Sequence, residues 1–138
     1  MRYLLDTNIC IYLIRNQPVG VRKQFEQHSP HEVAISAITV FELEYGAEKS
    51  QHRQRAKDAL AKFLLPLNVI DMDRSAAEEA ASIRAVLERR GTLIGRPYDL
   101  LIAGLARSLD LTLVTNDTRE FERIDGLKLT NWVENLPR

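Results

Sequence analysis

The chain has 138 residues, of which 45% are hydrophobic and 28% charged, and its formal net charge is zero. This composition is typical of one globular domain, over residues 1–138, and excludes a disordered or repetitive protein. Because the net charge is zero, any binding of nucleic acid would have to depend on local arginine clusters and bound metal. The single cysteine, Cys10, excludes an internal disulfide framework and indicates a reducing compartment.

Short apolar runs alternate with helical patterns in the first half of the chain, which is typical of a parallel α/β fold. In chain order they predict a strand, two helices, a second strand and two further helices, at about residues 3–5, 8–14, 18–25, 33–35, 38–46 and 54–65. The third helix is predicted from the spacing of Ile38, Phe41 and Tyr45, and Gly46 is expected to end it.

The second half continues the alternation, with strands predicted at residues 67–70, 111–114 and 127–129. A long helix is expected between Asp73, its N-cap, and Gly91, which closes it. The segment at residues 100–109 is apolar nearly all round, which predicts a buried helix. No stretch is long and apolar enough to span a bilayer, so we expect a soluble, intracellular protein.

Four carboxylates interrupt segments that are otherwise apolar. Asp6 lies inside an apolar run, Glu42 follows Phe41 within the third helix, Asp99 opens the buried helix, and Asp117 follows the strand at residues 111–114. Each aspartate has a structural alternative as a helix N-cap, and the alternative for Glu42 is an ion pair with a nearby arginine.

The positions of these acids also suggest a common site. In an open parallel sheet, ligands bind outside the carboxyl ends of the strands, and Asp6 and Asp117 follow strands that could be neighbours. If Glu42 and Asp99 also point there, like-charged pairs ~4 Å apart would each repel by about 4 kcal/mol at an effective dielectric constant near 20. Such a cluster needs a cation or altered protonation. Oxygen-only ligands favour Mg²⁺ or Mn²⁺, and the site would suit hydrolysis of a phosphodiester by metal-activated water.

Arginines near these acids are candidates for contacts with substrate phosphates. Arg96, three residues before Asp99, is the one we favour, and Arg84 is a second candidate. Most other arginines are more simply explained as part of a solvated surface.

Several segments resemble the PIN-domain nucleases, namely residues 4–9, 36–43, 98–103 and 114–117, each of which carries one of the four acids. Residues 46–50 and 118–123 resemble the VapC-type toxins within that family. The toxins belong to bacterial type II toxin–antitoxin systems.

The resemblance implies a three-layer sandwich with a five-stranded parallel sheet between helices. It also implies a cytoplasmic, Mg²⁺-dependent endoribonuclease, with Mn²⁺ as a substitute, that cleaves structured RNA, commonly tRNA and in one subgroup initiator tRNA. A homodimer and a VapB-type antitoxin that occludes the groove would be expected, with DNA bound only through the antitoxin. The catalytic and metal-binding acids would be Asp6, Glu42, Asp99 and Asp117, supported by Asn8, Thr115 and Asn116.

The chain departs from the toxin pattern at one loop. Three residues separate Gly95 from Asp99, where such toxins commonly have two. The additional residue would either shift Asp99 or bulge outward. Two other functions also stay open: a phosphatase-like hydrolase with Asp6 as nucleophile, although Asn8 stands where a second aspartate is expected, and a non-catalytic metal-binding interaction module.

Overall fold

Five parallel strands form the centre of the structure, a computed structural model that describes residues 1–133. The strands pair in the order β3-β2-β1-β4-β5. Their bounds are Tyr3–Leu5 (β1), Val33–Ser36 (β2), Asn68–Ile70 (β3), Thr112–Val114 (β4) and Lys128–Thr130 (β5). The predicted α/β fold with a parallel five-stranded sheet is confirmed.

Helices connect the strands and cover both faces of the sheet, as parallel pairing requires. Their bounds are Thr7–Arg15 (α1), Val19–Glu26 (α2), Ala37–Glu48 (α3), Arg53–Leu64 (α4), Arg74–Arg90 (α5), Pro97–Ser108 (α6) and Thr118–Phe121 (α7). The sequence patterns predicted the first six and missed α7, because one turn is too short to show a helical period. No helix within residues 1–133 is long and apolar enough to cross a membrane.

Alternate residues of the inner strands face opposite layers. Leu4 of β1 pairs in register with Ala34 of β2 and Leu113 of β4, and all three pack with α5 and α6. The next residue of β1, Leu5, points to the other face and packs with residues of α1 to α4. Each inner strand is therefore buried on both sides, which explains why its sequence is continuously apolar.

The third helix differs from its prediction in two ways. It continues through Gly46 to Glu48, and its core-facing residues include Leu43 and Ala47. The side chains of Phe41 and Tyr45 are 54% and 58% exposed. Because α3 contains apolar residues on more than one face, apolar spacing alone did not identify the face that packs on the sheet.

The α5–α6 contact is close because Gly104 has no side chain. A Cβ added at Gly104 would lie 2.7 Å from the Ala80 Cβ and 2.8 Å from the Ala76 carbonyl oxygen. The long helix α5 is well defined at both ends, since Asp73 accepts a hydrogen bond from the Ala76 amide and Gly91 closes it at φ 68°. Both predicted caps are confirmed.

Replacing Gly104 by alanine is expected to lower the free energy of unfolding by about 1–3 kcal/mol, because the helices would have to move apart. The matched control is Gly46→Ala, at a helix-interior position where an added Cβ meets nothing within 4 Å. That change is expected to stabilise the protein by up to about 1 kcal/mol, since alanine favours helix. Urea unfolding measures both, and equal effects of the two substitutions would contradict close packing at Gly104.

Candidate active site

The candidate site lies where the order of the strands reverses. The chain runs from the central strand β1 outward to β2 and β3, then returns to β4 on the other side of β1. Loops that leave the carboxyl ends of β1 and β4 therefore diverge and leave a crevice between them. The Asp6 amide donates a hydrogen bond to the Val114 carbonyl at 3.0 Å, which holds the two strand ends together. Asp6 and the loop that carries Asp117 thus start from neighbouring strands.

Asp6 is a buried carboxylate at the first residue after β1. It is the N-cap of α1 and accepts a hydrogen bond from the Ile9 amide at 2.9 Å. The pKa of Asp6 is raised from its ordinary value of 3.8 to about 6, chiefly by burial and to a smaller extent by the Asp99 and Asp117 carboxylates. Hydrogen bonds from the Thr115 hydroxyl and the Ile9 amide act in the opposite direction but do not compensate for burial. Capping and proximity to other acids are therefore both properties of Asp6.

Asp99 and Asp117 reach the same region from two helix starts. Asp99 lies in the first turn of α6, whose N-cap position is Arg96, and it is partly buried. Burial raises its pKa; the cation of Arg96 opposes this, whereas Glu42 and Asp117 add to it. Asp117 precedes α7 and is exposed, and its side chain makes no capping hydrogen bond. Asp99 is thus not an N-cap, whereas Asp117 occupies the N-cap position of α7 without forming the capping hydrogen bond.

The three predicted supporting residues lie around these acids. The Thr115 hydroxyl is buried, bonds to Asp6 and accepts a hydrogen bond from the Asp117 amide at 3.0 Å. The Asn116 side chain accepts a hydrogen bond from the Asn131 amide group at 3.1 Å, which fixes the loop after β4. Asn8 is exposed in the first turn of α1 and lines the adjacent groove.

Glu42 is held by partners on both oxygens. One oxygen accepts a hydrogen bond from the Thr7 hydroxyl at 2.8 Å, and the other binds the Arg96 guanidinium at 2.9 Å. The ion-pair alternative is therefore realised, with Arg96 as the arginine. The Glu42 side chain is only 12% exposed, whereas that of Arg96 is 54% exposed, so the arginine is the more accessible member of the pair.

A chain of buried hydroxyls leads to Glu42. Ser36 donates to Thr39 at 3.3 Å, Thr39 contacts Thr7 at 3.2 Å, and Thr7 donates to Glu42. Since Thr7 has one hydroxyl hydrogen and uses it on Glu42, Thr39 must be the donor to Thr7. The three hydroxyls are consequently oriented in one direction, toward the carboxylate, which strengthens each bond.

The hydroxyl chain and one further acid are features that our sequence analysis missed. Ser36, Thr39 and Glu42 follow each other at intervals of three, which places them along one side of a helix start, and that spacing was a usable signal. Glu120 of α7 also raises the pKa of Asp99, so a fifth carboxylate lies near the cluster. It could not be placed from the sequence, because α7 was not predicted.

The donor set fits a hard divalent cation by its chemistry, since it consists of carboxylate oxygens that repel one another in the absence of a cation. In this structure, however, the carboxylates are not positioned to coordinate one ion together. Within residues 1–133, no three Asp, Glu, His or Cys side chains are arranged so that they could hold a metal ion together. Glu42 shows one physical reason, because both of its oxygens already have partners.

A groove of about 840 Å³ opens beside the acids, between α1, α3 and the start of α6. It contains Glu42 and is bordered by the cations Arg15, Lys49 and Arg96. The predicted position of Arg96 near substrate is thus compatible with the structure. Arg84 is different: it lies on α5, does not line this groove, and binds Glu88 at 2.9 Å.

The loop before Asp99 has a defined structure. Arg96 is the N-cap residue of α6, Pro97 occupies the first turn, and Tyr98 borders the groove. Asp99 stays within electrostatic range of Asp6, Glu42 and Asp117. The three residues after Gly95 therefore start the helix and do not remove Asp99 from the cluster.

Comparison with known proteins identifies the family. The PIN domain model matches residues 3–127. The chain belongs to the PIN-domain family. It is 46% identical over 132 residues to the tRNA(fMet)-specific endonuclease VapC of Shigella flexneri, an alignment that covers 96% of this chain and 98% of that protein.

Two solved structures show the same PIN-domain architecture. DNA-bound VapBC from Salmonella typhimurium matches with a TM-score of 0.90 and 45% identity, over 96% of this chain and 98% of that chain. VapBC2 from Rickettsia felis, bound to a DNA fragment from its promoter, matches with a TM-score of 0.87 and 39% identity, over 96% and 99%. The predicted PIN-like sandwich and the resemblance to VapC-type toxins are confirmed.

The PIN-domain relatives also confirm the predicted enzyme class, a ribonuclease. The phosphatase-like and non-catalytic alternatives consequently lose their support. PIN-domain nucleases generally depend on a divalent metal, which agrees with the all-carboxylate donor set described above.

Replacing Asp6 by asparagine is expected to stabilise the metal-free PIN domain at neutral pH. The folded state binds the Asp6 proton more tightly than the unfolded chain, because the pKa is about 6 in the fold and 3.8 otherwise. The stabilisation that comes from this tighter proton binding is fully present below about pH 4. It is lost as the pH rises to about 6, which lowers the free energy of unfolding by about 3 kcal/mol. Asparagine does not ionise, so the variant does not lose this stability as the pH rises, and its side chain can still cap α1.

Urea unfolding in EDTA at about pH 4 and about pH 7.5 measures this difference. The variant should be the more stable protein at the higher pH and similar to the parent at the lower pH. Asp58→Asn, at an exposed position of α4, controls for removal of an acidic charge. A difference that does not change with pH would rule out the raised pKa as its cause.

Proposed function

We propose that this chain is the toxin of a type II toxin–antitoxin pair and acts as a Mg²⁺-dependent endoribonuclease on structured RNA, with initiator tRNA as the first substrate to test. The observation that carries the proposal is the convergence of Asp6, Asp99 and Asp117 at the switch point of the sheet, beside a groove bordered by cations. The name of the Shigella flexneri relative, a tRNA(fMet)-specific endonuclease, supports the choice of RNA.

The proposed metal-binding and catalytic residues are the four predicted acids, Asp6, Glu42, Asp99 and Asp117. When bound there, Mg²⁺ would supply an activated water and offset charge on the phosphate during hydrolysis. Thr115 and the Ile9 amide orient the Asp6 carboxylate, and Thr7 orients Glu42. Asn8 and Asn116 are proposed to support the site at its edge.

Arg96 has a proposed role in binding the substrate. Its guanidinium is exposed and pairs with Glu42, so an incoming phosphate can compete for it. Transfer of Arg96 from Glu42 to the phosphate would leave one Glu42 oxygen without its present partner. RNA binding would then make that acid more available to the cation.

The proposed partners follow from the solved relatives. The Salmonella typhimurium and Rickettsia felis structures are of VapBC bound to DNA, which supports a VapB-type antitoxin for this chain and contact with DNA only through that antitoxin. We also propose a homodimer that assembles with the antitoxin, and a bacterial cytoplasmic location where its RNA substrate would be found.

The central prediction is that purified, antitoxin-free protein cleaves RNA in Mg²⁺ and not in EDTA. Total cellular RNA and initiator tRNA are the substrates, and discrete fragments are expected. Asp6→Asn should lower the rate at least about 100-fold, which corresponds to about 2.7 kcal/mol of lost transition-state stabilisation. Absence of cleavage by well-folded protein, or cleavage that survives both EDTA and the substitution, would refute the proposed function.

A second prediction concerns Glu42. Glu42→Gln keeps an oxygen for the Thr7 hydroxyl but removes the charge, so the Mg²⁺ concentration for half-maximal cleavage should rise about 10- to 100-fold. Glu44→Gln is the matched control, because Glu44 lies on the same helix and binds Lys57 at 3.0 Å. An unchanged Mg²⁺ titration for Glu42→Gln would show that Glu42 has only a structural role.

A further inference from the structure

The exposed aromatic side chains are concentrated in one place. Within residues 1–133, three aromatic residues are strongly exposed, Phe41, Tyr45 and Tyr98, at 54%, 58% and 41%. All three line the groove beside the acids. The other aromatic side chains of this part of the chain are buried or partly buried. Packing of the core therefore does not account for the three exposed rings.

Two of these rings contact each other between α3 and α6, at the edge of the groove. Phe41 on α3 and Tyr98 in the first turn of α6 have ring centroids 5.8 Å apart, with planes at 72°. This edge-to-face contact holds both rings while part of each ring remains open to the groove. Phe41 is adjacent to Glu42 in the chain, and Tyr98 is adjacent to Asp99. Each ring of the pair is therefore adjacent in the chain to one of the acids.

Cations border the same groove. Lys49 lies over the ring of Tyr45, with its Nζ 4.8 Å from the centroid. Neither Arg15 nor Lys49 has an ion pair with a carboxylate within residues 1–133, whereas Lys57 and Arg53 nearby are paired with glutamates. Exposed aromatic faces next to uncompensated cations are the combination that binds single-stranded nucleic acid, since the rings stack on bases and the cations bind phosphates.

We propose that Phe41 and Tyr98 form a stacking platform for an unpaired nucleobase next to the scissile phosphate, and that Arg15 and Lys49 bind neighbouring phosphates. The proposal rests on the proposed RNA cleavage and adds the residues that would hold an unpaired base beside the acids. A base inside a duplex is already stacked and would have to leave the helix to reach the platform. Removal of either ring should therefore weaken the binding of an unpaired loop more than the binding of a paired stem.

The test measures binding in EDTA with the Asp6→Asn background, so that RNA stays intact. Two probes are compared: an RNA hairpin with 2-aminopurine in its unpaired loop, and a fully paired RNA duplex of the same length. Adding Phe41→Leu or Tyr98→Leu should weaken binding of the hairpin about 10-fold and abolish the quenching of 2-aminopurine that stacking causes. Duplex binding should be unchanged.

Three controls separate stacking from other effects. Tyr98→Phe keeps the ring and should retain the affinity for the hairpin and the quenching. Lys49→Gln should weaken both probes to a similar degree and reduce the salt dependence, because it removes a phosphate contact. Leu65→Ala, at a residue that is 87% exposed and outside the groove, should change neither.

Three outcomes would overturn the inference. The first is unchanged hairpin binding in both leucine variants, and the second is equal weakening of hairpin and duplex binding. The third is retained RNA binding together with loss of a dimer in sedimentation, because that result would assign the rings to a protein interface. The cleavage assay with the parent chain is scored separately. Cleavage without a leucine effect would reject the platform alone, whereas absence of cleavage would reject the proposed function.

Discussion

Burial of a carboxylate at the end of the central strand is the constraint on which the rest of the site depends. Asp6 follows β1 directly, and the crossing connections on both sides of the sheet leave it little access to water. Its ionised form is opposed by desolvation and by Asp99 and Asp117, and favoured by only two hydrogen bonds. An arrangement of this kind costs stability in the metal-free protein, and a bound cation would offset that cost.

The polar groups around the acids are organised so that few are left without partners. Thr7, Ser36, Thr39 and Thr115 are buried, and each hydroxyl is hydrogen-bonded. Within residues 1–133, Thr92 provides the only buried side-chain oxygen or nitrogen that lacks a partner. Because an unsatisfied group in a low-dielectric interior is costly, this network also determines where Glu42 lies. The hydrogen bonds that position the acids are thus the same ones that stabilise the fold.

A chain with no net charge can still attract a polyanion locally. The acids of α3 are paired with cations, as in the contacts of Lys57 with Glu44 and Glu48 and of Arg96 with Glu42. Arg15 and Lys49 have no such partner in the described part of the chain, so the groove keeps positive charge at its border. Local pairing, and not the total charge, determines the field that a substrate would meet.

The sequence by itself determined the order of the elements and the parallel sheet, and it singled out the four acids as a candidate cluster. Buried strands, helix caps and carboxylates in apolar segments all have strong local signals. Family resemblance predicted the ribonuclease class. Only the tertiary structure decided that Glu42 pairs with Arg96, that buried hydroxyls lead to Glu42, and that Phe41 and Tyr45 face outward. These features depend on contacts between α1, α3 and α6, which are far apart in the chain, and on the face that α3 turns to the sheet. Apolar spacing could not specify that face, since α3 is apolar on more than one side.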